Sequence, residues 1–366
     1  MTSFKLGKVS IGNNKSCFII AEAGVNHILE KDDLERIGLN SALDVAFKMV
    51  DLAIEAKVDA IKFQSFSAKN LQFQGTQKPK YQQDNESLSE SYYDLIKKYE
   101  TSLNDQIEIS EYCKRKGMLF ISTPYDMESA EFLNDVIKVP FFKLASLELN
   151  NHLFIRRIAR FGKPIILSTG LSSFGDISDT IDMARKEGFA DRLILLQCTS
   201  DYPPKLDEIN LNVIKTYYQQ FPDMLFGFSD HTQSNIASIG AVAMGAVILE
   251  KHFTLNSDFH GPDHKASLNP RDLQIWVQEI RELELCMGSH KKALTKSEIK
   301  NMSMKKYLVV HPMKKNDIIE EKNLTAMRTG SGVLPKRSHL EKIINKKLKY
   351  DIDGKTPFKW DMVKND

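Results

Sequence analysis

Cysteine is scarce in the 366-residue chain: there are four, Cys17, Cys113, Cys198 and Cys286, and none lies in a CxxC pair. Such a count in a chain of this length excludes a disulfide framework and reads as thiols in a reducing compartment. No apolar run approaches the ~20 residues that a membrane span needs. The first ten residues, MTSFKLGKVS, lack the apolar stretch of a secretory signal. A cytoplasmic protein with no membrane role is therefore expected. An excess of charge is missing too, because 50 Lys and Arg face 48 Asp and Glu for a formal net charge of +2. That balance argues against a dedicated nucleic-acid binder, which concentrates basic charge. The basic pairs Lys291-Lys292 and Lys346-Lys347 read as solvated surface. No repeat of fixed period is visible.

What is present is an apolar fraction of 42%, arranged in alternation. Short β-rich runs fall at 17–22, 60–64, 118–122, 141–144, 164–168, 193–197, 225–229 and 247–252. Amphipathic segments separate them. The first, 41–55, places Ala42, Val45, Ala46, Met49, Val50 and Ala53 on one helical face, with Ser41 as its N-cap. Eight buried strands alternating with helices, with a helix after the last, predict a (β/α)8 TIM barrel; a doubly wound open sheet is the alternative. The polar stretch 72–89 after the second run reads as a lid or substrate loop. The Lys-rich segment 288–302 reads as a linker. The expected domains are thus a catalytic barrel over 1–287, the linker, and a small domain over 303–366 with strands at 307–311 and 324–328.

Barrel enzymes carry their sites at the C-terminal ends of the strands, and all eight runs end in polar or ionisable groups. The first ends in Glu22, with Asn26 and His27 beyond it; the second carries Lys62 and Gln64 on one face by period two. The third ends in Thr123 and Tyr125, the fourth carries Lys143, then Ser146 and Glu148, and the fifth ends in Ser168. The sixth leads to Ser200 and Tyr202, the seventh ends at Ser229 and His231, and the eighth ends in Glu250 and His252. A purely structural barrel has no need of this ring. Two lysines inside a barrel require negative partners. With the hydroxyls of Thr123, Ser146, Ser168 and Ser229 they suit a ligand carrying both phosphate and carboxylate, such as phosphoenolpyruvate. The plainer alternative pairs them with Glu22, Glu148 or Glu250. His231 and His252, on neighbouring strand ends, suit a divalent metal with open positions, and the residues do not choose among Mn, Mg, Zn or another ion. Asp263, on the turn after Gly261-Pro262, suits sugar hydroxyls or simply forms the turn.

These residues sit in motifs that run nearly end to end: FIIAEAGVNH, IKFQ, FISTPYD, FKLAS, PIILSTG, QCTSDYPP, GFSDHT, ILEKHFTL, GPDHKAS and MRTGSG. The chain resembles the sialic acid (nonulosonic acid) synthase family, which makes N-acetylneuraminate, legionaminate and pseudaminate, and its last domain resembles the antifreeze-like (SAF, β-clip) domain of those enzymes. The resemblance implies condensation of phosphoenolpyruvate with an N-acetylated amino sugar. It implies that Lys62, Thr123, Lys143, Ser146, Ser168, Ser200 and Ser229 surround phosphoenolpyruvate, and that His231 and His252 hold manganese or magnesium. It places Gln64, Tyr125, Glu148, Tyr202 and Asp263 near the sugar, gives Glu22 a water or a proton to manage, and delivers Arg328 from the partner subunit of a domain-swapped homodimer. GPDHKAS is closer to the neuraminate and legionaminate branches than to the pseudaminate one. Three departures stand out: an insertion after His27, Leu147 in place of a glycine, and Thr329 in place of a proline. A synthase of the deoxyheptulosonate or deoxyoctulosonate type is the nearest rival.

Overall fold

The computed structural model describes residues 3–7, 9–12, 15–71, 73 and 91–364. The chain divides into two compact units, Met1–Gly288 and Ser289–Asp366.

The first unit opens with an antiparallel hairpin, β1 (Ser3–Leu6) and β2 (Val9–Gly12). Eight parallel strands follow: β3 (Phe18–Gly24), β4 (Ala60–Ser65), β5 (Leu119–Pro124), β6 (Phe142–Leu144), β7 (Ile165–Ser168), β8 (Leu193–Cys198), β9 (Leu225–Asp230) and β10 (Ile248–His252). Their order, β5-β4-β3-β10-β9-β8-β7-β6, pairs the first strand with the eighth, so the sheet curls into a nearly closed barrel with its seam between β5 and β6. Each of the eight expected runs is one of these strands. The helix Ala42–Glu55 is capped as anticipated, with Asp44 N donating to Ser41 Oγ at 3.1 Å.

Alternation along each strand sorts the side chains. Ile19, Ala21, Phe63, Leu144, Leu195 and Phe228 point outward into the apolar layer beneath the helices. Inward residues early in the strands are also apolar: Phe18, Ile20, Ala60, Ile121, Phe141, Ile166, Ile194 and Ile248 fill the base of the barrel, and Leu6 and Ile11 of the hairpin close it from below. The hairpin escaped the sequence reading because each arm is four residues long, with little alternation to detect. Later inward residues are polar, so all the chemistry lies at one end.

The insertion after His27 forms a helix, Lys31–Ile37. Its buried Asp33 accepts hydrogen bonds from the backbone N of His260 at 3.1 Å and from its ring at 3.3 Å, tying the insertion to the loop after β10. Two short helices unforeseen in the sequence, Ala68–Leu71 and Tyr92–Lys98, follow β4. The polar loop between them falls almost wholly outside the described residues.

The second unit is built on a three-stranded antiparallel sheet, β12-β11-β13, made of β11 (Tyr307–Val310), β12 (Leu324–Met327) and β13 (Thr356–Pro357). Leu308, Val310, Ile319, Ile343, Leu348 and Phe358 form its own core. The segment expected as a linker is not plain coil: it carries a helix, Lys296–Lys300, because Thr295 and Glu298 form a reciprocal capping box. Arg328 is exposed, one residue past β12.

Candidate active site

A cavity of about 540 Å³ opens at the C-terminal ends of the barrel strands. Its floor is a network of buried charges. Lys62 Nζ lies 2.6 Å from Glu22 Oε2, on the adjacent strand, and 3.7 Å from Glu250 Oε2. It also donates to Thr123 Oγ1 at 3.1 Å. Lys143 Nζ donates to Ser168 Oγ at 2.8 Å and lies 3.5 Å from Glu250 Oε1. Ser229 Oγ donates to the same Glu250 oxygen at 3.0 Å. The lysines thus pair with Glu22 and Glu250, as the plainer alternative had it, and both also line the cavity.

Burial pushes the Glu22 carboxyl up to about 7, aided by the charge of Glu250 and opposed by Lys62. Burial acts to lower Lys62 as well, but Glu22 and Glu250 outweigh it and hold the ammonium above its ordinary range. Lys143 is lowered, by burial first and also by the nearby Lys62 charge. Burial works to raise Glu250, yet Lys143 and Lys62 keep it ionised and below the usual carboxylate range. The floor thus sets two lysines against two carboxylates, one of which, Glu22, is held well above the usual carboxylate range.

Two glycines are demanded by close approach. A Cβ on Gly170 would lie 2.1 Å from Ser200 Oγ and 2.9 Å from Ser146 Oγ. Without one, the Gly170 N–H donates to Ser146 Oγ at 3.0 Å, and both serines face the cavity. Gly24 takes φ +54° at the register shift ending β3, where a Cβ would crowd Gln64 and Glu22.

His231 and His252 meet with ring centroids 5.4 Å apart. His231 Nδ1 lies 2.8 Å from the Thr199 carbonyl, so that nitrogen carries a proton, and Nε2 lies 3.4 Å from Ser229 Oγ. His252 Nδ1 is buried without a hydrogen-bond partner, 3.9 Å from Asp263 Oδ2. Burial and then the charges of His231, Lys62 and Lys143 hold His252 well below the ordinary histidine range, so it stays neutral. Burial also acts to lower His231, but the Cys198 sulfur, the Thr199 carbonyl and Glu250 raise it to about 9. A cation on Nε2 would replace that second proton. Among the described residues no three His, Cys, Asp or Glu side chains cluster as a metal site. The donors this site offers a cation are therefore the two imidazoles, with His252 Nδ1 left without a hydrogen-bond partner.

Tyr202 stacks on His231 at 4.2 Å between centroids and meets His252 edge-on at 5.7 Å. Gln64, Tyr125 and Asp263 also line the cavity, and burial pushes Asp263 up to about 6. Glu148 does not line it. The short turn Ser146–Glu148 presents Ser146 and Leu147 instead, while Glu148 is buried and accepts from Asn151 Nδ2 at 2.7 Å. His27 and Asn26 are not in the cavity either. His27 Nε2 contacts Thr101 Oγ1 at 3.0 Å, and Asn26 donates to the Phe253 carbonyl at 3.0 Å and to Ser267 Oγ at 2.9 Å, sewing β3 to the loop after β10.

A family model, the NeuB family, matches residues 49–292. The N,N'-diacetyllegionaminic acid synthase of Campylobacter jejuni is 36% identical over 342 residues, covering 92% of this chain and 98% of that protein. The chain belongs to the NeuB family, the sialic acid synthases. Human N-acetylneuraminate-9-phosphate synthase is 33% identical over 295 residues, 79% of this chain and 76% of that protein. The crystal structure of the N-acetylneuraminic acid synthetase from Leptospira borgpetersenii in complex with citrate superposes with a TM-score of 0.69 at 29% identity, covering 83% of this chain and 96% of that one. No helix among the described residues of this NeuB-family chain is long and apolar enough to cross a membrane.

Glu250, expected from the sequence only as a possible partner of the lysines, is the hub between both of them and Ser229. Its place two residues before His252 on the same strand face was a usable signal for more. Two further cavity features of this NeuB-family site went unassigned in the sequence. Cys198 ends β8 facing inward, 3.8 Å from His231 Nδ1. The apolar residues Leu95 and Ile96 belong to a helix whose short periodicity is lost beside the polar loop.

Proposed function

We propose that the chain condenses phosphoenolpyruvate with the open-chain aldehyde of an N-acetylated mannosamine-type sugar, releasing phosphate and a nine-carbon neuraminate- or legionaminate-type acid. The observation that carries this reading is the pair of buried lysines, ringed by hydroxyls, on the same cavity floor as two imidazoles. Lys62 and Lys143 hold the carboxylate and phosphate of phosphoenolpyruvate, with Thr123, Ser146, Ser168, Ser200 and Ser229 as further partners. This aims C3 at the aldehyde carbon, and the new carbon–carbon bond forms there. Water then adds at C2, the C–O bond to phosphorus breaks and phosphate leaves. Glu22 orients that water and takes its proton, while the lysines offset the growing anionic charge. Gln64, Tyr125, Tyr202 and Asp263 hold the sugar. His231 and His252 would hold a divalent cation, Mn or Mg, which would supply Lewis acidity to the aldehyde.

The names of the relatives support the reaction class, and pseudaminic acid synthases at 30% identity keep that sugar as the alternative. Phosphate release from phosphoenolpyruvate with N-acetylated aldoses tests the reading; release only with an erythrose or arabinose phosphate would replace it with the deoxyheptulosonate or deoxyoctulosonate type. Chelation should abolish release and Mn or Mg restore it, and His231→Ala and His252→Ala should lose metal binding measured by equilibrium dialysis. Full activity in a metal-stripped sample would exclude the metal role.

The base role sets a pH dependence. Glu22 must be ionised to act, and its carboxyl lies at about 7. The profile of kcat/KM should therefore rise through pH about 7 and fall tenfold per unit below it. Glu22→Gln should remove that limb together with most activity, and a limb that survives in this variant would assign it to another group.

The same reading makes the enzyme a dimer in which Arg328 of the partner subunit covers the sugar with a planar, directed set of donors. Arg328→Ala and Lys62→Ala chains, each nearly inactive, should regain up to about a quarter of intact sites after subunit exchange, because half the dimers are mixed and each has one complete site. No recovery after proven exchange would rule out the sharing.

A further inference from the structure

The chain's overall balance of charge hides a segregation. Ser289–Asp366 carries 19 Lys and Arg against 9 Asp and Glu, which leaves Met1–Gly288 with 31 against 39 of the chain's 50 and 48. The small unit therefore has a formal charge of +10 and the barrel unit −8. Within the small unit the sheet divides the charges again. Tyr307 of β11 pairs with Met327 of β12, so one step further in that register Lys306 stands against Arg328, with Lys305 beside it in the chain. Phe358 N donates to the Leu308 carbonyl at 2.8 Å, which brings Lys359 to the same end from the other flank of β11. All four cations are exposed, and among the described residues none has an ion-pair partner. The carboxylates are placed differently. Glu320 and Glu321 precede β12 at the opposite end of the sheet. Asp351 and Asp353 flank Ile352, which pairs with Met313 beyond the far end of β11, and they engage Lys314 at 3.3 and 3.6 Å. Glu298 and Glu341 face Lys292 and Arg337, and Asp361 accepts from the Tyr350 hydroxyl at 3.5 Å.

We propose that this cation-rich end of the small unit is an anion-collecting surface, whose Lys305, Lys306 and Lys359 draw phosphoenolpyruvate toward the cavity. The proposal rests on the condensation and on the shared Arg328 put forward above, which bring that end of the sheet to the mouth of the partner's barrel. A substrate bearing both a carboxylate and a phosphate is repelled by a barrel unit of net charge −8 until it reaches the lysine floor. Exposed ammonium groups without carboxylate partners reverse the potential where the anion enters, and such fields raise encounter rates ~10- to 10³-fold at low salt. The aldose is uncharged and feels no such pull. Screening gives the device a signature, because the reach of these charges shrinks from ~30 Å at ~0.01 M ionic strength to ~8 Å at ~0.15 M.

Phosphate release should be followed at limiting phosphoenolpyruvate while the ionic strength rises from about 0.01 M to about 0.15 M. The kcat/KM for phosphoenolpyruvate should fall about 10-fold over that range. In Lys305→Gln/Lys306→Gln/Lys359→Gln, which keeps Arg328 and much of each stem, it should start several-fold lower, stay nearly flat and approach the value of the unaltered enzyme at the higher salt. Neither kcat nor the KM for the sugar should change. Lys314→Gln/Lys315→Gln/Lys322→Gln removes the same charge from the opposite end of the sheet and should retain the full slope. A full slope in the first variant would overturn the proposal. So would an equal loss in both, because net charge and not this surface would then be the cause, and so would a rate in the unaltered enzyme that salt does not move. Absence of release with every N-acetylated aldose is a different failure, since it removes the condensation on which the proposal stands.

Discussion

Replacing Lys251 by methionine is expected to destabilise the barrel by about 3–5 kcal/mol, the usual result of stranding one partner of a buried ion pair. Lys251 and Asp230 face each other across β10 and β9 with no exposed side-chain surface, Nζ to Oδ2 at 2.9 Å. The ammonium also donates to the Thr232 and Ser234 carbonyls at 2.5 and 3.3 Å. Asp230 in turn accepts from Thr232 N at 2.8 Å and from Ser238 Oγ at 2.5 Å. Burial lowers the lysine from its ordinary range, against the pull of Asp230. With the cation gone, the carboxylate is left in an apolar layer that cannot solvate it. Urea titration should show a lower midpoint at unchanged slope. The double variant Asp230→Asn/Lys251→Met should recover much of the loss, since removing both charges removes the penalty. The pair also has a position in the site. Each partner immediately precedes a histidine, Asp230 before His231 and Lys251 before His252, so the outward salt bridge pins the register that brings the two imidazoles together. An unchanged midpoint in Lys251→Met would show that the pair contributes nothing to stability.

Lys62→Met is expected to weaken phosphoenolpyruvate binding ~10-fold or more, since a charge-assisted hydrogen bond contributes roughly 1.5–3 kcal/mol. Its kcat should fall further, by ~10²-fold or more, because the ammonium faces charge that grows toward the transition state. Methionine keeps most of the stem, so packing is preserved. Glu22 loses its nearest cation, and a carboxyl already at about 7 can take up a proton instead of remaining a stranded charge. That gives the variant a second signature. Lys62 pulls Glu22 down, so without it the acid limb of the pH profile should move to higher pH. Calorimetric titration of phosphoenolpyruvate reads the first effect and the pH profile reads the second. An unchanged affinity would remove Lys62 from the anion site, and an unmoved limb would separate Glu22 from it.

Much of this molecule was legible in one dimension because its governing patterns are periodic. Eight short apolar runs, separated by helical spacing, can bury both faces only in a sheet covered by helices, and the switch from apolar to polar at the end of each run marks the working end. Period two placed Lys62 with Gln64 and would equally have placed Glu250 with His252. What sequence could not decide is how charges divide once they converge. Lys143 and Lys251 are both barrel-strand lysines, yet one faces the cavity and the other is sealed behind it, a distinction set by strand register. Glu148 sits two residues from Ser146, but a single turn of tight helix buries one and offers the other. Glu22 rises to about 7 because burial and Glu250 act on it together, and residues 228 positions apart become neighbours only when the first strand pairs with the eighth. Local pattern determined the elements and the end of the barrel that carries the chemistry. Closure of the barrel decided which groups meet, because electrostatic coupling depends on distance and burial, and neither is a property of the chain before it folds.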